Sequence, residues 1–223
     1  MTALPATDPV EFIRSQTIIA VAPIVPELML HLATEVTPLW QLTETRMQEK
    51  NLPPPFWAFA WPGGQGVARY VLDHPESVRG KQVMDFAAGG GIAALAAMKA
   101  GAAHALAVDI DPLALTAIQL NAALNHVAVE NANGIDLTTV PEGIDVIVAG
   151  DICYQQEMAD RLMRWLRMCV AAGIRVIMAD PGRAYVPQSG LTELANYMVP
   201  TSLDLEHEDK RHVRVWDVGV PEA

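Results

Sequence analysis

A strand, a turn of small residues and a helix follow one another between residues 82 and 101, and this unit constrains the fold most. Residues 82–86 predict a buried strand, residues 87–91 are all Ala or Gly, and the helix that follows ends at Gly101. Small residues let a backbone approach a ligand closely, and a helix N-terminus offers free N–H groups. The unit is therefore typical of the opening of a nucleotide-binding α/β fold.

Length and charge limit the classes of protein that fit. The 223 residues predict one domain at residues 56–223, preceded by a helical leader or lid at residues 1–55 that packs on it. The chain has 15 Lys and Arg against 26 Asp and Glu, a formal net charge of -11. Nucleic-acid binding depends on basic residues that neutralise phosphates, so we expect no nucleic-acid partner.

Cysteines and termini point to a reducing compartment. The two cysteines, Cys153 and Cys169, lie in apolar surroundings and predict reduced thiols, not a disulfide framework or a zinc site. The histidines show no metal-ligand spacing, so no metal site is predicted. No targeting peptide or membrane-spanning stretch is evident. We expect a cytoplasmic protein, without a membrane partner and monomeric.

Strands alternate with helices along most of the chain. The other predicted elements are helices at about 66–74, 111–125 and 158–172, and strands at 103–109, 127–133, 143–151 and 174–180. Near the C-terminus we predict a short helix at 189–197 and two strands at 201–208 and 213–220, joined by a charged turn. Alternation predicts a parallel sheet, and the short final turn requires an antiparallel pair. Five parallel strands, a C-terminal antiparallel hairpin and helices on both faces make up the Rossmann-like class I methyltransferase fold.

The small-residue turn favours one cofactor. Its order is Asp85-x-Ala87-x-Gly89-x-Gly91, which is similar to the D-x-G-x-G-x-G pattern of S-adenosylmethionine sites, with Ala87 in place of a Gly. A dinucleotide site would use G-x-G-x-x-G. Asp85 is expected to hold the turn and the methionyl ammonium group. Asp109 lies 24 residues after Asp85, at the end of the second strand, where a carboxylate accepts hydrogen bonds from both ribose hydroxyls.

Other residues near the strand ends are further candidates for cofactor binding. Asn133 and Asp136 lie around the end of the third strand, where such folds often contact the adenine. For Asp136, capping of a turn is an equal alternative. The remaining predicted cofactor residues are Trp61, Ile110 and Gly150.

The residues after the fourth strand bear on the methyl acceptor. DNA and RNA amino-methyltransferases typically carry Asn-Pro-Pro-aromatic here, whereas this chain has Asp151-x-x-Tyr154, which resembles protein lysine methyltransferases. Asp151 can accept a hydrogen bond from a lysine amine, and Tyr154 can flank it, so both are predicted to be catalytic and substrate-binding. Trp57 and Phe59 are predicted to bind the cationic substrate through cation–π contacts.

Five segments together resemble one family. They are residues 56–65, 80–85, 109–112, 150–154 and 180–183, and the most distinctive pieces are Trp-Pro-Gly-Gly-Gln and Asp-Pro-Gly-Arg. They look like the lysine methyltransferases of the electron transfer flavoprotein β-subunit, a resemblance that covers roughly residues 20–220. It implies transfer of methyl groups from S-adenosylmethionine to lysines of that subunit. Arg183 can pair with a substrate carboxylate or with Asp180, or belong to a structural turn, and it is not predicted to be catalytic.

Two alternatives stay open at this stage. The same fold and residues would serve a small-molecule amine N-methyltransferase, if the site were enclosed and narrow. A catalytically silent interaction module is the second alternative, and the three acids Asp85, Asp109 and Asp151 argue against it.

Overall fold

A seven-stranded sheet with helices on both faces forms the centre of the protein. The computed structural model describes residues 8–34, 39, 55–201, 206 and 208–220. Along the chain, the strands are β1 (Ile18–Ala22), β2 (Val25–Leu32), β3 (Gln82–Phe86), β4 (His104–Asp109), β5 (Glu130–Asn133), β6 (Val146–Gly150), β7 (Arg175–Asp180), β8 (Leu191–Pro200) and β9 (Lys210–Val218). The α-helices are α1 (Pro9–Gln16), α2 (Pro62–Asp73), α3 (Ile92–Lys99), α4 (Pro112–Leu124) and α5 (Gln156–Ala171).

The order of strands across the sheet confirms the predicted fold class. It is β5-β4-β3-β6-β7-β9-β8, in which β5, β4, β3, β6 and β7 are parallel. Strand β9 runs antiparallel to both β7 and β8, so the sheet closes with an antiparallel pair. The sheet therefore has five parallel strands and a C-terminal hairpin, as the sequence predicts.

Two apolar layers cover the two faces of the sheet. Successive strand residues point to opposite faces, so Val83 packs with the layer that holds α2, α3 and α4, and Met84 packs with the layer that holds α5. Val83 and Met84 are both almost completely buried. The parallel strands read as continuous apolar runs because both of their faces are covered. None of the described helices is long and apolar enough to cross a membrane.

The predicted helix at 189–197 is wrong, since this segment forms most of β8. Leu, Glu and Ala favour a helix here, but β8 pairs with β9 from Leu191 opposite Val218 to Pro200 opposite Lys210. Pairing along the whole strand outweighs the weak intrinsic preference. The second strand of the hairpin is predicted at 213–220 and found at Lys210–Val218. The predicted strand at 201–208 falls largely outside the described residues.

The described part of the leader consists of helix α1 and the β1–β2 hairpin. Strand β2 docks on α4 through side-chain amides, because the backbone N–H groups of Met29 and His31 donate to Asn125 (3.0 Å) and Asn121 (2.8 Å). Both asparagines are buried. Most of residues 35–54 lie outside the described residues, so the lid function stays a prediction.

Candidate active site

Four acids stand at or near the carboxyl ends of four neighbouring parallel strands. Asp85 is the penultimate residue of β3, Asp109 and Asp180 end β4 and β7, and Asp151 follows the last residue of β6. Parallel strands bring their carboxyl ends to one edge of the sheet, where open α/β sheets bind ligands. The fold therefore brings the predicted cofactor acids and the predicted catalytic acid to the same edge.

The small-residue turn between β3 and α3 has the backbone that its composition predicts. Ala87, Gly89 and Gly91 have φ angles of 56°, 52° and 81°, a region in which glycine is favoured. The turn lies against the Trp57 backbone, since a Cβ atom on Gly90 would stand 2.9 Å from the Trp57 carbonyl oxygen. The turn thus takes a fixed position with its backbone close to its neighbours.

Asn121 connects this turn to the leader, a role that sequence reasoning missed. Its Nδ2 atom donates to the Gly90 carbonyl oxygen (2.9 Å), while its Oδ1 atom accepts from the N–H of His31. The side chain is buried, so both contacts are protected from water. A buried asparagine needs hydrogen-bond partners, so an asparagine on the apolar face of a predicted helix is the sequence signal that could have indicated this role.

Asp85 braces the start of α3. Its Oδ2 atom accepts from the N–H of Ala94 (2.9 Å), and its side chain is buried under the turn. Burial raises the pKa of Asp85 to about 7, and the nearby charge of Asp109 adds to the increase. A cationic group beside Asp85 would keep it ionised. The environment therefore fits the predicted contact with an ammonium group.

Asp109 is held by two backbone donors. Its Oδ2 atom accepts from the N–H of Gly89 (2.8 Å), and its Oδ1 atom accepts from the N–H of Asp111 (2.9 Å). Burial raises its pKa. An ionised carboxylate has about four acceptor positions, so each oxygen keeps capacity for a further donor. This arrangement fits a pair of ribose hydroxyls, as the sequence predicts.

Two other predicted cofactor residues, Ile110 and Asn133, lie beside Asp109, whereas Trp61 and Gly150 lie beside Arg183 and Asp151. Ile110 is 75% exposed, with Gly134 beside it, and Asn133 pairs with Asp109 in the β4–β5 ladder. Asp136 accepts from the N–H and the hydroxyl of Thr138, which lower its pKa, so it caps a turn. Adenine contacts by Asn133 and Asp136 stay predictions.

Asp151 has an ordered carboxylate in a left-handed backbone conformation. Its φ angle is 57°, its Oδ2 atom accepts from the N–H of Gly64 (2.9 Å), and its Oδ1 atom accepts from Arg183 Nη2 (3.0 Å). Burial raises its pKa to about 6, although the positive charge of Arg183 opposes the increase. Gly150 allows this arrangement, because a Cβ there would collide with the backbone of Gly63 and Gly64.

Arg183 joins Asp151 to a second acid that sequence reasoning did not find. The same Nη2 atom lies 2.8 Å from Oε1 of Glu206, which is buried and also lies near Arg211. Glu206 belongs to a charged segment far along the chain from Asp151, and no local pattern marks it. The ion cluster, defined as Asp151, Asp180, Arg183, Glu206 and Arg211, is thus assembled from three separate segments.

Asp180 shapes the turn that carries Arg183. Its Oδ1 atom accepts from the N–H groups of Gly182 (2.8 Å) and Arg183 (2.6 Å), which confirms the structural turn considered for this segment. Within the part of the chain that the structure describes, its buried Oδ2 atom has no hydrogen-bond partner. A carboxylate oxygen in that position is suited to a further donor.

Aromatic rings lie beside the ion cluster. Phe56 contacts Trp61 and Tyr154, with centroids 5.6 and 5.9 Å apart, and Trp61 also contacts Phe59. The Arg183 guanidinium lies 6.0 Å from the Trp61 ring centroid. Phe56 and Tyr154 are 39% and 47% exposed, so these rings extend from the ion cluster to the protein surface.

Trp57 lies in the protein interior, in contrast to the predicted substrate contact. Its side chain is 1% exposed and packs with Ile13 of α1 and Ala114 of α4. Phe59 is also mostly buried in this cluster, and its ring contacts the ring of Trp61. The alternation of aromatic residues in this segment does not predict which side chains are buried. Residues Phe56–Ala58 form a 3-10 turn instead of an extended strand, so neighbouring side chains do not simply point to opposite sides.

Comparisons with known proteins decide the family. The family model of ribosomal protein L11 methyltransferase (PrmA) matches residues 70–178. The electron transfer flavoprotein β-subunit lysine methyltransferase of Rattus norvegicus is 38% identical over 201 residues, 86% of this chain and 76% of the relative. The Xenopus laevis protein of the same name is 38% identical over 222 residues, 95% and 87% of the two chains. The chain belongs to this lysine methyltransferase family.

Solved structures agree with the fold of this methyltransferase. Magnesium protoporphyrin IX methyltransferase from Synechocystis PCC 6803, with bound SAH, has a TM-score of 0.51 at 17% identity, covering 70% of this chain and 82% of that chain. A candidate RNA methyltransferase from Pyrococcus horikoshii has a TM-score of 0.55 at 14% identity, covering 82% and 98%. At these identities the likeness shows the fold alone.

Proposed function

We propose that this protein transfers methyl groups from S-adenosylmethionine to lysine side chains of the electron transfer flavoprotein β-subunit. The observation that carries the proposal is the similarity to relatives of that name over at least three quarters of their length. The arrangement of acids and aromatic rings at one edge of the sheet supports it.

The residues present fit the cofactor. S-adenosylmethionine supplies a methyl group on a sulfonium centre, which is already activated for displacement. Asp85 would hold the methionyl ammonium, Asp109 the ribose hydroxyls, and the turn at Gly89 and Gly91 would pass close to the ligand. Ile110 offers an exposed apolar surface beside Asp109 for the adenine.

The ion cluster fits a lysine acceptor. A free lysine amine has a pKa of about 10.4 and must lose its proton before its lone pair can attack. Asp151 can accept a hydrogen bond from Nζ and orient it, while the rings of Tyr154 and Trp61 lie beside the cluster. Among the described residues, the three carboxylates of the cluster and the neighbouring Glu208 face two guanidinium groups, so these surroundings favour an incoming cation.

Partial exposure around Asp151 favours a polypeptide over a small amine. Phe56 and Tyr154 are partly exposed, and 13% of the Asp151 side chain is exposed, which supports approach of a side chain from the surface. A small-molecule amine N-methyltransferase would be expected to enclose its substrate. The test for this alternative is a panel of free amines offered in place of protein.

Transfer of tritiated methyl groups to purified flavoprotein β-subunit tests the proposal directly. We expect label on lysine residues, located by mass spectrometry, and none with the Asp151→Asn variant. Label that appears only in RNA or in small molecules from a lysate would contradict the proposal. Label in other proteins but not in the β-subunit would retain lysine methylation and reject the named substrate.

We also propose a cytoplasmic monomer that binds neither nucleic acid nor membranes, with residues 1–55 acting as a lid. The net charge of -11 supports the absence of a nucleic-acid partner, because a negative surface repels phosphates.

The Asn121 contacts between the leader and the glycine turn support a lid that senses the cofactor. Light scattering of the purified protein tests the monomer, and fractionation of cells tests the location.

A further inference from the structure

The Arg183 side chain lies between two acids and contacts both through one nitrogen. Its Nη2 atom is 3.0 Å from Asp151 Oδ1 and 2.8 Å from Glu206 Oε1. A small movement of the guanidinium toward Glu206 would release Asp151 and preserve one ion pair. Both acids are largely buried, whereas 21% of the Arg183 side chain is exposed.

The contact between Arg183 and Asp151 is incomplete, so another cation can replace the guanidinium at Asp151. It uses a single nitrogen, whereas strongly held arginine–carboxylate pairs are bidentate. Within the described chain, the buried Nε atom of Arg183 has no acceptor, so the guanidinium fork is not fully used. The Trp61 ring, 6.0 Å away, offers the cation a second favourable neighbour.

The Asp151 carboxylate would stay in place without Arg183. Its Oδ2 atom is fixed by the Gly64 N–H, and its backbone N–H donates to the Ala179 carbonyl oxygen (3.1 Å). Nearby, the buried Oδ2 atom of Asp180 lacks a partner among the described residues. The cluster thus has the charge and the free acceptor capacity for one further cation.

We propose that the Arg183 guanidinium occupies, in the free protein, the cation position at Asp151 that the substrate lysine takes, and moves to Glu206 and Trp61 when the lysine arrives. The inference rests on the proposed lysine acceptor. Arg183 is then a positioning residue that competes with the substrate for Asp151. While no substrate is bound, the Arg183 guanidinium neutralises Asp151. Because the substrate lysine must displace it, substrate affinity is lower.

Kinetics with the purified β-subunit test this exchange. Arg183→Gln should lower KM for the protein substrate about fivefold at about pH 8.5, which lies well above the pKa of about 6 that Asp151 has beside its arginine. Arg183→Lys keeps the cation and should leave KM near that of the wild type. Arg69→Gln is the matched control, since Arg69 also bridges two acids, Glu27 and Asp73, and has a similar exposure of 19%. An unchanged or higher KM for Arg183→Gln would overturn the inference, as would an equal decrease for Arg69→Gln.

A binding measurement separates this inference from the proposed substrate. The probe is Nα-acetyl-lysine methylamide, titrated by NMR in the presence of S-adenosylhomocysteine. Arg183→Gln should bind the probe about fivefold more tightly than the wild type, and Asp151→Asn should not bind it. If the wild type methylates no β-subunit but these affinities hold, only the named substrate fails. Equal affinity for wild type and Arg183→Gln, or no binding to either, would overturn the exchange of cations.

Discussion

The glycine turn and the ion cluster lie at the same edge of the sheet but are built in different ways. In the turn, Asp85 and Asp109 accept hydrogen bonds from backbone N–H groups within about twenty residues of sequence. In the ion cluster, Asp151, Arg183 and Glu206 come from distant segments and hold one another through charged side chains. The first site is fixed by local backbone geometry, and the second depends on a balance of charge.

This difference predicts how the two sites respond to substitution. Changes in the turn should affect the cofactor and leave the protein substrate unaffected, because backbone donors keep the rest of the turn in place. Changes in the ion cluster should affect turnover and the acceptor. A turn variant that alters use of the protein substrate, or an ion-cluster variant that weakens cofactor binding, would contradict this comparison.

The largest effect is expected for Asp151→Asn. Asparagine tolerates the left-handed backbone at φ 57° and can still accept from Gly64, so the fold should be preserved. Loss of the carboxylate should lower kcat about 100- to 10,000-fold, the range found for a lost general acid or base. Assays at saturating substrate concentrations measure kcat. Calorimetry should show that the variant binds S-adenosylhomocysteine with nearly wild-type affinity. A large loss of cofactor affinity would reassign Asp151 to the cofactor site.

The second effect is expected at Asp109, where a substitution should weaken cofactor binding and leave the protein substrate unaffected. Asp109→Asn removes two charge-assisted hydrogen bonds to the ribose, which should weaken binding of S-adenosylhomocysteine about 10- to 100-fold. Calorimetry measures the dissociation constant, and KM for the protein substrate serves as the control. If that KM rose as much as the cofactor constant, the two sites would not be separable.

The sequence predicts the turn well because its signals are local. Gly89 and Gly91, the acid before them and the acid one strand later appear in a fixed order, since each depends on backbone geometry within one β–α–β unit. The five parallel strands were predicted correctly for the same reason. Alternation of apolar strands and helices is visible without any long-range information.

The ion cluster is only half visible in the sequence. Asp151 was found through its position after a strand. Arg183 was left between a substrate carboxylate, Asp180 and a structural turn, and Glu206 was given no role. Their pairing depends on which strand lies beside β7, and the error over the helix at 189–197 hid that order. Trp57 shows the same limit, because burial is decided by α1 and α4, which lie far from it in sequence.

A pair of neighbouring glycines sharpens the comparison further. A Cβ atom on Gly63 would lie 2.6 Å from Asp151 Oδ2 and 2.7 Å from the Ala179 carbonyl oxygen, whereas on Gly64 the nearest atom is an Ile92 methyl at 3.3 Å. Gly63→Ala should therefore cost about 1–3 kcal/mol of unfolding free energy and displace the catalytic acid. Gly64→Ala is the matched control and should cost clearly less. Denaturant unfolding and turnover measure both variants, and equal behaviour would contradict the close packing of α2 on β6.

The last effect concerns the energetic cost of the buried acid in the turn. The pKa of Asp85 rises from an ordinary 3.8 to about 7, so the folded protein binds this proton more tightly than the unfolded chain does. The contribution of Asp85 to wild-type stability should consequently fall as pH rises from about 4 to about 7, by about 4 kcal/mol for the full change. Asp85→Asn removes this cost and keeps an acceptor for Ala94, but buries an unpaired amide at about 1–3 kcal/mol.

Asp85→Asn should therefore be about 1–3 kcal/mol more stable than the wild type at pH 8 and lose that advantage as pH falls toward 4. Denaturant unfolding at both pH values measures the difference. The same variant should bind S-adenosylhomocysteine more weakly, because its ammonium group loses a charged partner. A gain in stability with a loss of affinity would mean that the acid is retained for the ligand at the expense of the fold. A variant that is less stable at pH 8 would instead show that the carboxylate is part of the structure of the turn.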